Sequence, residues 1–338
     1  MNEVVLATRI QIAKGQSVFR LADFEIRESP GDEEGLAQAV LTEKSRAVIV
    51  GSEPYQGPLY EALATIGGDR GAIIARFGVG HDNVDKALAR KHSIVVTNTP
   101  GVLDVSVAEH TMWLVGCLAK NMCSMHAHFK AGEYVPETGI ELRGKTLGIL
   151  GFGVIGRRVA SIAHHGFGMR VLAADCLSPE ALEEREGKPM DEIKAQYGID
   201  LYTTSHEKVL DGSDFVTVHL PATPETHHFL DARRLHVMKP GAMLINTSRG
   251  SVVDEVALYD AIAEAWVTGA ALDVFEAEPY LPVDPEKDLR TLDEVVLTPH
   301  AASNTAEANR GIAQCALKNV TSFFAGRLDE LDRVDAEA

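Results

Sequence analysis

LGILGFGVIGRRVA, residues 147–160, decides how this chain is read. An apolar run with the length of a buried β-strand, Leu147–Leu150, meets Gly151, Gly153 and Gly156 in G-x-G-x-x-G spacing, and the glycines open onto a helical pattern. Gly151 permits a tight turn, Gly153 lets the backbone approach a pyrophosphate, and Gly156 lets helix and strand pack closely. The helix N-terminus, with Val154 and Ile155 in its first turn, then offers unpaired N–H groups and about half a positive charge to an anion. The next strand, RVLAAD, ends in Asp175, nineteen residues beyond Gly156, where a carboxylate accepts hydrogen bonds from adenosine ribose hydroxyls. That carboxylate repels a 2′-phosphate, and positions 176–178 hold no Arg or Lys, so NAD is favoured over NADP. Arg157 and Arg158 are the reservation, since either could reach round to such a phosphate; on a helix face they are read as solvated cations.

The alternation of strand and helix continues in both directions. TLGILG, RVLAAD, FVTVHL, AMLINTS, GAALDV and VVLTPH are six strand candidates, the complement of a doubly wound nucleotide-binding sheet. Upstream, EVVLAT, AVIVGS, GAIIARF and SIVVTN form a separate α/β series. Their apolarity is continuous rather than alternating, which implies parallel sheets covered on both faces. A long, mostly helical stretch from Asp104 to Lys130 follows the Pro100-Gly101 break. The Glu-, Lys- and Asp-rich segment from Ser178 to Thr204 reads as solvated helical excursions, and a last helix, Thr305 to Ala325, is expected to return to the first domain and leave a cleft between the two.

Composition narrows the function. The 338 residues include 49 acidic and 32 basic side chains, a formal charge of −17 that repels phosphate backbones and anionic lipid. Nucleic-acid and membrane partners are therefore not expected. No apolar run approaches the ~18–20 residues of a spanning helix, and MNEVVLATRI resembles no secretory leader. Cys117, Cys123, Cys176 and Cys315 show neither CxxC spacing nor disulfide density, as expected of reduced thiols in a cytoplasmic protein.

Three later strand ends carry residues able to do chemistry: Arg249 in INTSRG, Asp273 and Glu278 in ALDVFEAEP, and His300 in LTPH. Ligands of open α/β sheets bind outside the carboxyl ends of strands, so these residues are expected to converge. Ordered motifs accompany them: FGVGHDNVD, NTPGVLDVSVAEH, GKTLGILGFGVIG, HLPATPET, KPGAMLINTSRGSVVDE, GAALDVFEAEP and LTPHAAS. Through almost its whole length the chain resembles the D-isomer-specific 2-hydroxyacid dehydrogenases.

The resemblance implies two doubly wound domains, a flavodoxin-like substrate domain (1–103 with 300–338) and a Rossmann NAD-binding domain (104–299), assembled as a homodimer. It also implies hydride exchange between NAD and a small D-2-hydroxy or 2-oxo acid, glyoxylate or hydroxypyruvate most simply. The family's catalytic Arg, Glu and His fall on Arg249, Glu278 and His300, and Asp273 falls where the family contacts the nicotinamide carboxamide. Histidine suits the proton transfer because imidazole titrates near neutral pH. Arginine suits the carboxylate because its planar fork binds both oxygens. Gly78, Val79 and Gly80 fall on the family's second carboxylate contact, and His219, Leu220 and Pro221 on its cofactor-side wall. Thr247 and Ser248 are placed on the nicotinamide side; otherwise they are strand-end hydroxyls bonded to backbone.

Asp254 reads as a helix cap. The pairs His126/His128, His164/His165 and His227/His228 have no carboxylate or Cys at ligand spacing, so no metal is expected. Arg76 either meets a second anionic group of the substrate or forms a structural ion pair. Two alternatives stay open. One is a relative acting on 3-phosphoglycerate, formate or phosphite; formate-specific relatives carry Gln where this chain has Glu278, and the chain's end at Ala338 leaves no room for the regulatory domain of some phosphoglycerate dehydrogenases. The other is an NADH-sensing interaction protein resembling the C-terminal binding protein corepressors.

Overall fold

Among the described residues the β-strands pair in parallel, in two separate sheets, and the one antiparallel contact is an isolated bridge of Thr97 with Arg333. The computed structural model describes residues 3–334. They divide into two units, one running up to Leu103 and resuming at Ser303, the other spanning Asp104–Ala302.

The first unit holds β1 (Val4–Thr8), β2 (Glu25–Ser29), β3 (Ala47–Val50), β4 (Ala72–Arg76) and β5 (Ile94–Thr97) in the order β2-β1-β3-β4-β5. That is the flavodoxin-like order. Four strands match the apolar runs; β2 does not, because EIRES is a polar, largely solvated edge strand paired with β1 alone. The last helix, Ala306–Phe324, packs against the helix Arg9–Phe19 and against β4.

The second unit holds β6 (Thr146–Leu150), β7 (Arg170–Ala174), β8 (Leu201–Thr203), β9 (Phe215–Val218), β10 (Ala242–Asn246), β11 (Val267–Leu272) and β12 (Val295–Leu297). Their order is β12-β11-β10-β9-β6-β7-β8, the dinucleotide-binding arrangement with one strand added at the β12 edge. Alternate residues feed two cores: Leu147 and Ile149 with Val171 and Ala173 on one face, Leu150 with Leu172, Ala174, Val216 and Leu244 on the other. Strand order reverses between β6 and β9, which places the ligand crevice of such a sheet at their carboxyl ends, beside Gly151 and His219.

Two expectations change and one is refined. Residues 178–204 are no solvated excursion: they form helices Pro179–Glu186 and Met190–Tyr197 and the edge strand β8, with Leu182, Ile193 and Tyr202 buried. Their charge hides few but well-spaced apolar anchors. The stretch 104–130 is two helices, Asp104–Ala119 and Met122–Lys130, broken where Asn121 takes a left-handed φ of 49°. The second unit also runs to Ala302 rather than 299, because the amides of His300, Ala301 and Ala302 all bond to Asp273 at the end of β11.

Candidate active site

The glycine loop is shaped as its spacing requires. Gly151 has φ 94°, and a Cβ there would meet the His219 carbonyl oxygen at 2.5 Å. A Cβ on Gly156 would overlap the Gly151 carbonyl, whereas Gly153 faces open space. The helix Val154–Ser161 starts at Gly153 with no side-chain cap, so its first N–H groups await another acceptor. Val154 is exposed and Ile155 half-buried at that end, with half-buried Leu220 and exposed Pro221 on the facing strand end. Asp175 is half-buried; Oδ2 accepts the Phe152 amide at 2.6 Å and Oδ1 the Leu177 amide at 3.2 Å. His219 keeps Nε2 buried without a partner, and burial pushes its pKa down to about 4. An open, uncapped anion cradle, an acid at the second strand end and an orphaned imidazole nitrogen fit a dinucleotide. Arg157 is not the solvated cation expected: its buried guanidinium bonds the Phe152 carbonyl and Glu186 Oε1 (2.8 Å) and lies over the Phe152 and Tyr197 rings. Arg158 is exposed.

At the far end of the sheet, His300 Nδ1 lies 2.7 Å from Glu278 Oε2. Glu278 Oε1 accepts the Phe275 amide at 3.1 Å, which aims the carboxylate. With Nδ1 donating to Glu278, Nε2 is the ring nitrogen left available to a further partner. His300 has a left-handed φ of 49°, a conformation that costs a non-glycine residue about 1–3 kcal/mol. Asp273 holds it there. Its carboxylate is fully buried and accepts from Thr298 Oγ1 (2.6 Å) and the amides of Ala301 (2.8 Å) and Ala302 (2.9 Å), while its carbonyl accepts the His300 amide at 2.8 Å. His110 Nε2 stands 3.2 Å from Thr298 Oγ1 and 3.6 Å from Asp273 Oδ1. Burial would raise this carboxyl, but the bonds from His110, Thr298, Ala301 and Ala302 outweigh it and hold the pKa below the ordinary range.

Arg249 follows β10 on a turn organised by Asn246, whose Nδ2 donates to the Arg249 carbonyl (2.8 Å) and whose Oδ1 accepts from the Ser248 amide and hydroxyl. The guanidinium donates to the Ser248 carbonyl at 2.7 Å. Gly250 seats this turn on the loop that carries Glu278, since a Cβ there would overlap the Phe275 backbone. Thr247 bonds Thr111 Oγ1 at 2.8 Å, so both strand-end hydroxyls are held by side chains rather than by backbone. Gly78, Val79 and Gly80 lie in the first unit after β4; Gly78 has φ 144°, and Val79 O accepts from Asn98 Nδ2 at 2.8 Å.

Sequence reasoning missed the residues beneath these turns. Asn246, Gly250 and His110 lie inside quoted motifs, but nothing local marks them as supports. No carboxylate stands at ligand spacing from His227/His228 in the sequence, but the fold supplies one: Glu276 Oε2 lies 2.8 Å from His228 Nε2, brought from 48 positions away by the 275–278 loop. Asp254 caps its helix as expected, accepting the Ala257 amide.

Residues 112–302 match the family described as D-isomer specific 2-hydroxyacid dehydrogenase, NAD binding domain. The chain belongs to this family. Among relatives, it is 41% identical over 266 residues to the glyoxylate reductase of Thermococcus litoralis, covering 76% of this chain and 75% of that one. Among solved structures, it resembles the D-lactate dehydrogenase of Aquifex aeolicus complexed with NAD and lactic acid (TM-score 0.81, 29% identity, 99% of this chain and 100% of that one). It also resembles an NADPH-dependent glyoxylate/hydroxypyruvate reductase of Sinorhizobium meliloti (TM-score 0.77, 26% identity, 96% and 94%). The dehydrogenase is thus an NAD-dependent oxidoreductase interconverting 2-hydroxy and 2-oxo acids.

Proposed function

We propose that this dehydrogenase reduces glyoxylate or hydroxypyruvate to the corresponding 2-hydroxy acid, with His300 and Glu278 as the acid–base pair and Arg249 as the carboxylate clamp. The observation that carries the proposal is the 2.7 Å contact of His300 Nδ1 with Glu278 Oε2 on a turn that Asp273 holds in place. NAD, when bound, supplies or accepts the hydride. Gly151, Gly153, Val154, Ile155 and Gly156 would hold its pyrophosphate and Asp175 its ribose, with His219, Leu220, Pro221, Thr247, Ser248 and Asp273 lining its surroundings. In reduction, protonated His300 gives the Nε2 proton to the carbonyl oxygen while Glu278 keeps the ring oriented. In oxidation, the neutral ring takes that proton from the hydroxyl. Arg249 binds the substrate carboxylate and polarises the adjacent carbonyl, and the amides of Val79 and Gly80 supply a second contact. The unit containing β1–β5 is accordingly the substrate-binding one.

The substrate class rests on the relatives named glyoxylate reductase, and a panel of glyoxylate, hydroxypyruvate, phosphohydroxypyruvate and branched 2-oxo acids tests it. Unchanged rates in Arg76→Ala across the panel would dismiss that arginine as a reader of a second anion. His300→Ala is expected to lose about 10²–10⁴-fold in turnover while still binding NADH; near-normal turnover would show that another group moves the proton. Reduction should gain on the acid side and oxidation on the alkaline side, so two profiles falling together in acid would contradict the assignment.

A homodimer is part of the proposal, supported by exposed Trp113, Phe129, Tyr134 and Val135 along residues 113–135. Light scattering of Trp113→Asp should show a smaller species. A cytoplasmic site is supported by four free thiols. Separately, among the described residues no helix is long and apolar enough to cross a membrane.

A further inference from the structure

A second cluster of ligand-type side chains stands beside the catalytic turns. His227, His228 and Glu276 each offer a donor atom, all within 4.8 Å of one another. The two imidazoles stack with centroids 4.1 Å apart, and His228 Nε2 already meets Glu276 Oε2 at 2.8 Å. Groups behind them orient the donors. Asp254 Oδ2 lies 3.9 Å from His228 Nδ1, the ring nitrogen that Glu276 does not meet, close enough to favour positive charge on the ring but too far for a hydrogen bond. Glu276 Oε1 accepts the Glu255 amide at 3.3 Å, and Glu255 Oε1 accepts the Glu276 amide at 2.7 Å, while buried Glu255 Oε2 has no partner. Glu278 follows Glu276 by two residues on the same loop, so three carboxylates, Glu255, Glu276 and Glu278, share one region.

We propose that His227, His228 and Glu276 bind a divalent transition-metal ion of the zinc class, and that occupancy couples metal availability to the turns of Arg249 and Glu278. Two imidazoles and one carboxylate suit Zn²⁺, Cu²⁺ or Ni²⁺ and not the oxygen-seeking Mg²⁺ or Ca²⁺. Tetrahedral coordination at ordinary bond lengths needs donors about 3.4 Å apart, so the His228–Glu276 pair opens by only about half an ångström as the ion replaces the shared proton. The ion would offset the carboxylate crowding. Coupling follows from connectivity: the His228 amide bonds the Ser251 carbonyl at 2.7 Å, two residues past Arg249, and Glu276 precedes Glu278 by two. This second half rests on the catalytic assignment above; the binding does not.

The untagged, chelator-stripped full chain is titrated with ZnCl₂ by calorimetry and by competition with a chromogenic chelator, alongside His227→Ala and Glu276→Gln. His227 is exposed, so its variant folds, and glutamine keeps the acceptor for the Glu255 amide. One equivalent is expected in the wild type, weakened roughly tenfold or more in each variant, with Mg²⁺ not competing and an X-ray absorption spectrum showing two imidazoles. Zinc should slow wild-type turnover at concentrations that spare His227→Ala. Wild-type affinity in His227→Ala, equal competition by Mg²⁺, a sulfur shell in the spectrum or no uptake at all would overturn the site. Full occupancy with unchanged turnover would overturn the coupling while leaving the site standing.

Discussion

Two carboxylates are buried beneath neighbouring turns of the second unit and end in opposite states. Asp273, under the His300 turn, collects a threonine hydroxyl and two amides and stays below the ordinary carboxylate range. Glu255, under the Arg249 turn, receives one amide but faces Glu276 and Glu278; burial first, then those charges, push its pKa up to about 7, against which the Glu276 amide and His228 act. Burial opposes ionisation in both. What separates them is the number of donors the fold supplies, so one acid is a fixed negative anchor and the other holds a proton near neutrality.

The sharpest way to break this contrast is Asp273→Ala. Removing the anchor strands buried donors and frees the left-handed turn at His300, so a loss of about 3–5 kcal/mol is expected in denaturant unfolding, along with turnover. Stability within about 1 kcal/mol of the parent would mean that the turn holds itself. Because Asp273 titrates low, its contribution is present above the ordinary carboxylate pKa and is lost on acidification. Glu255 has the reverse sign. Its folded pKa near 7 exceeds the ordinary 4.5, so its share of stability is whole in acid and is lost as pH rises between those values. Glu255→Gln should therefore gain on the wild type by about 1–3 kcal/mol between pH 4.5 and pH 8, the lower end reflecting solvent screening. A pH-independent difference in melting would show that Glu255 ionises normally.

Two glycine substitutions sharpen the picture further. Gly250→Ala pushes a methyl into the Phe275 backbone and should cost about 1–3 kcal/mol in unfolding and reduce turnover by misplacing both turns. Gly153→Ala meets open space, so unfolding should shift by less than about 0.5 kcal/mol. The KM for NADH should nevertheless rise, since the methyl stands where the pyrophosphate approaches. A stability loss equal to that of Gly250→Ala would place Gly153 in a packing role.

The glycine loop, the strand ends and the acid at Asp175 were legible because each is local: a turn, a strand and a helix start follow from contiguous residues. β2 and β8 were not, since a charged edge strand and a three-residue strand carry no apolar run. The support beneath His300 was half legible. Asp273 stands out as a strand-end acid that the resemblance places beside the cofactor, but nothing local shows that its buried carboxylate also holds the turn that follows β12. The burial of Arg157 is illegible for a related reason: helical position says which face a side chain leaves from, and only packing places Phe152, Tyr197 and Glu186 around it.

From its order of residues alone the chain determined two α/β series, a dinucleotide cradle and a short roster of groups able to clamp an acid and move a proton. Tertiary structure decided which of them meet. His300 and Glu278 touch, Glu276 joins His228 across 48 positions, and Gly250 presses two turns together. The division is physical. Backbone propensity and periodicity act over a few residues, whereas the protonation and orientation of a buried side chain depend on donors and charges delivered by distant strands.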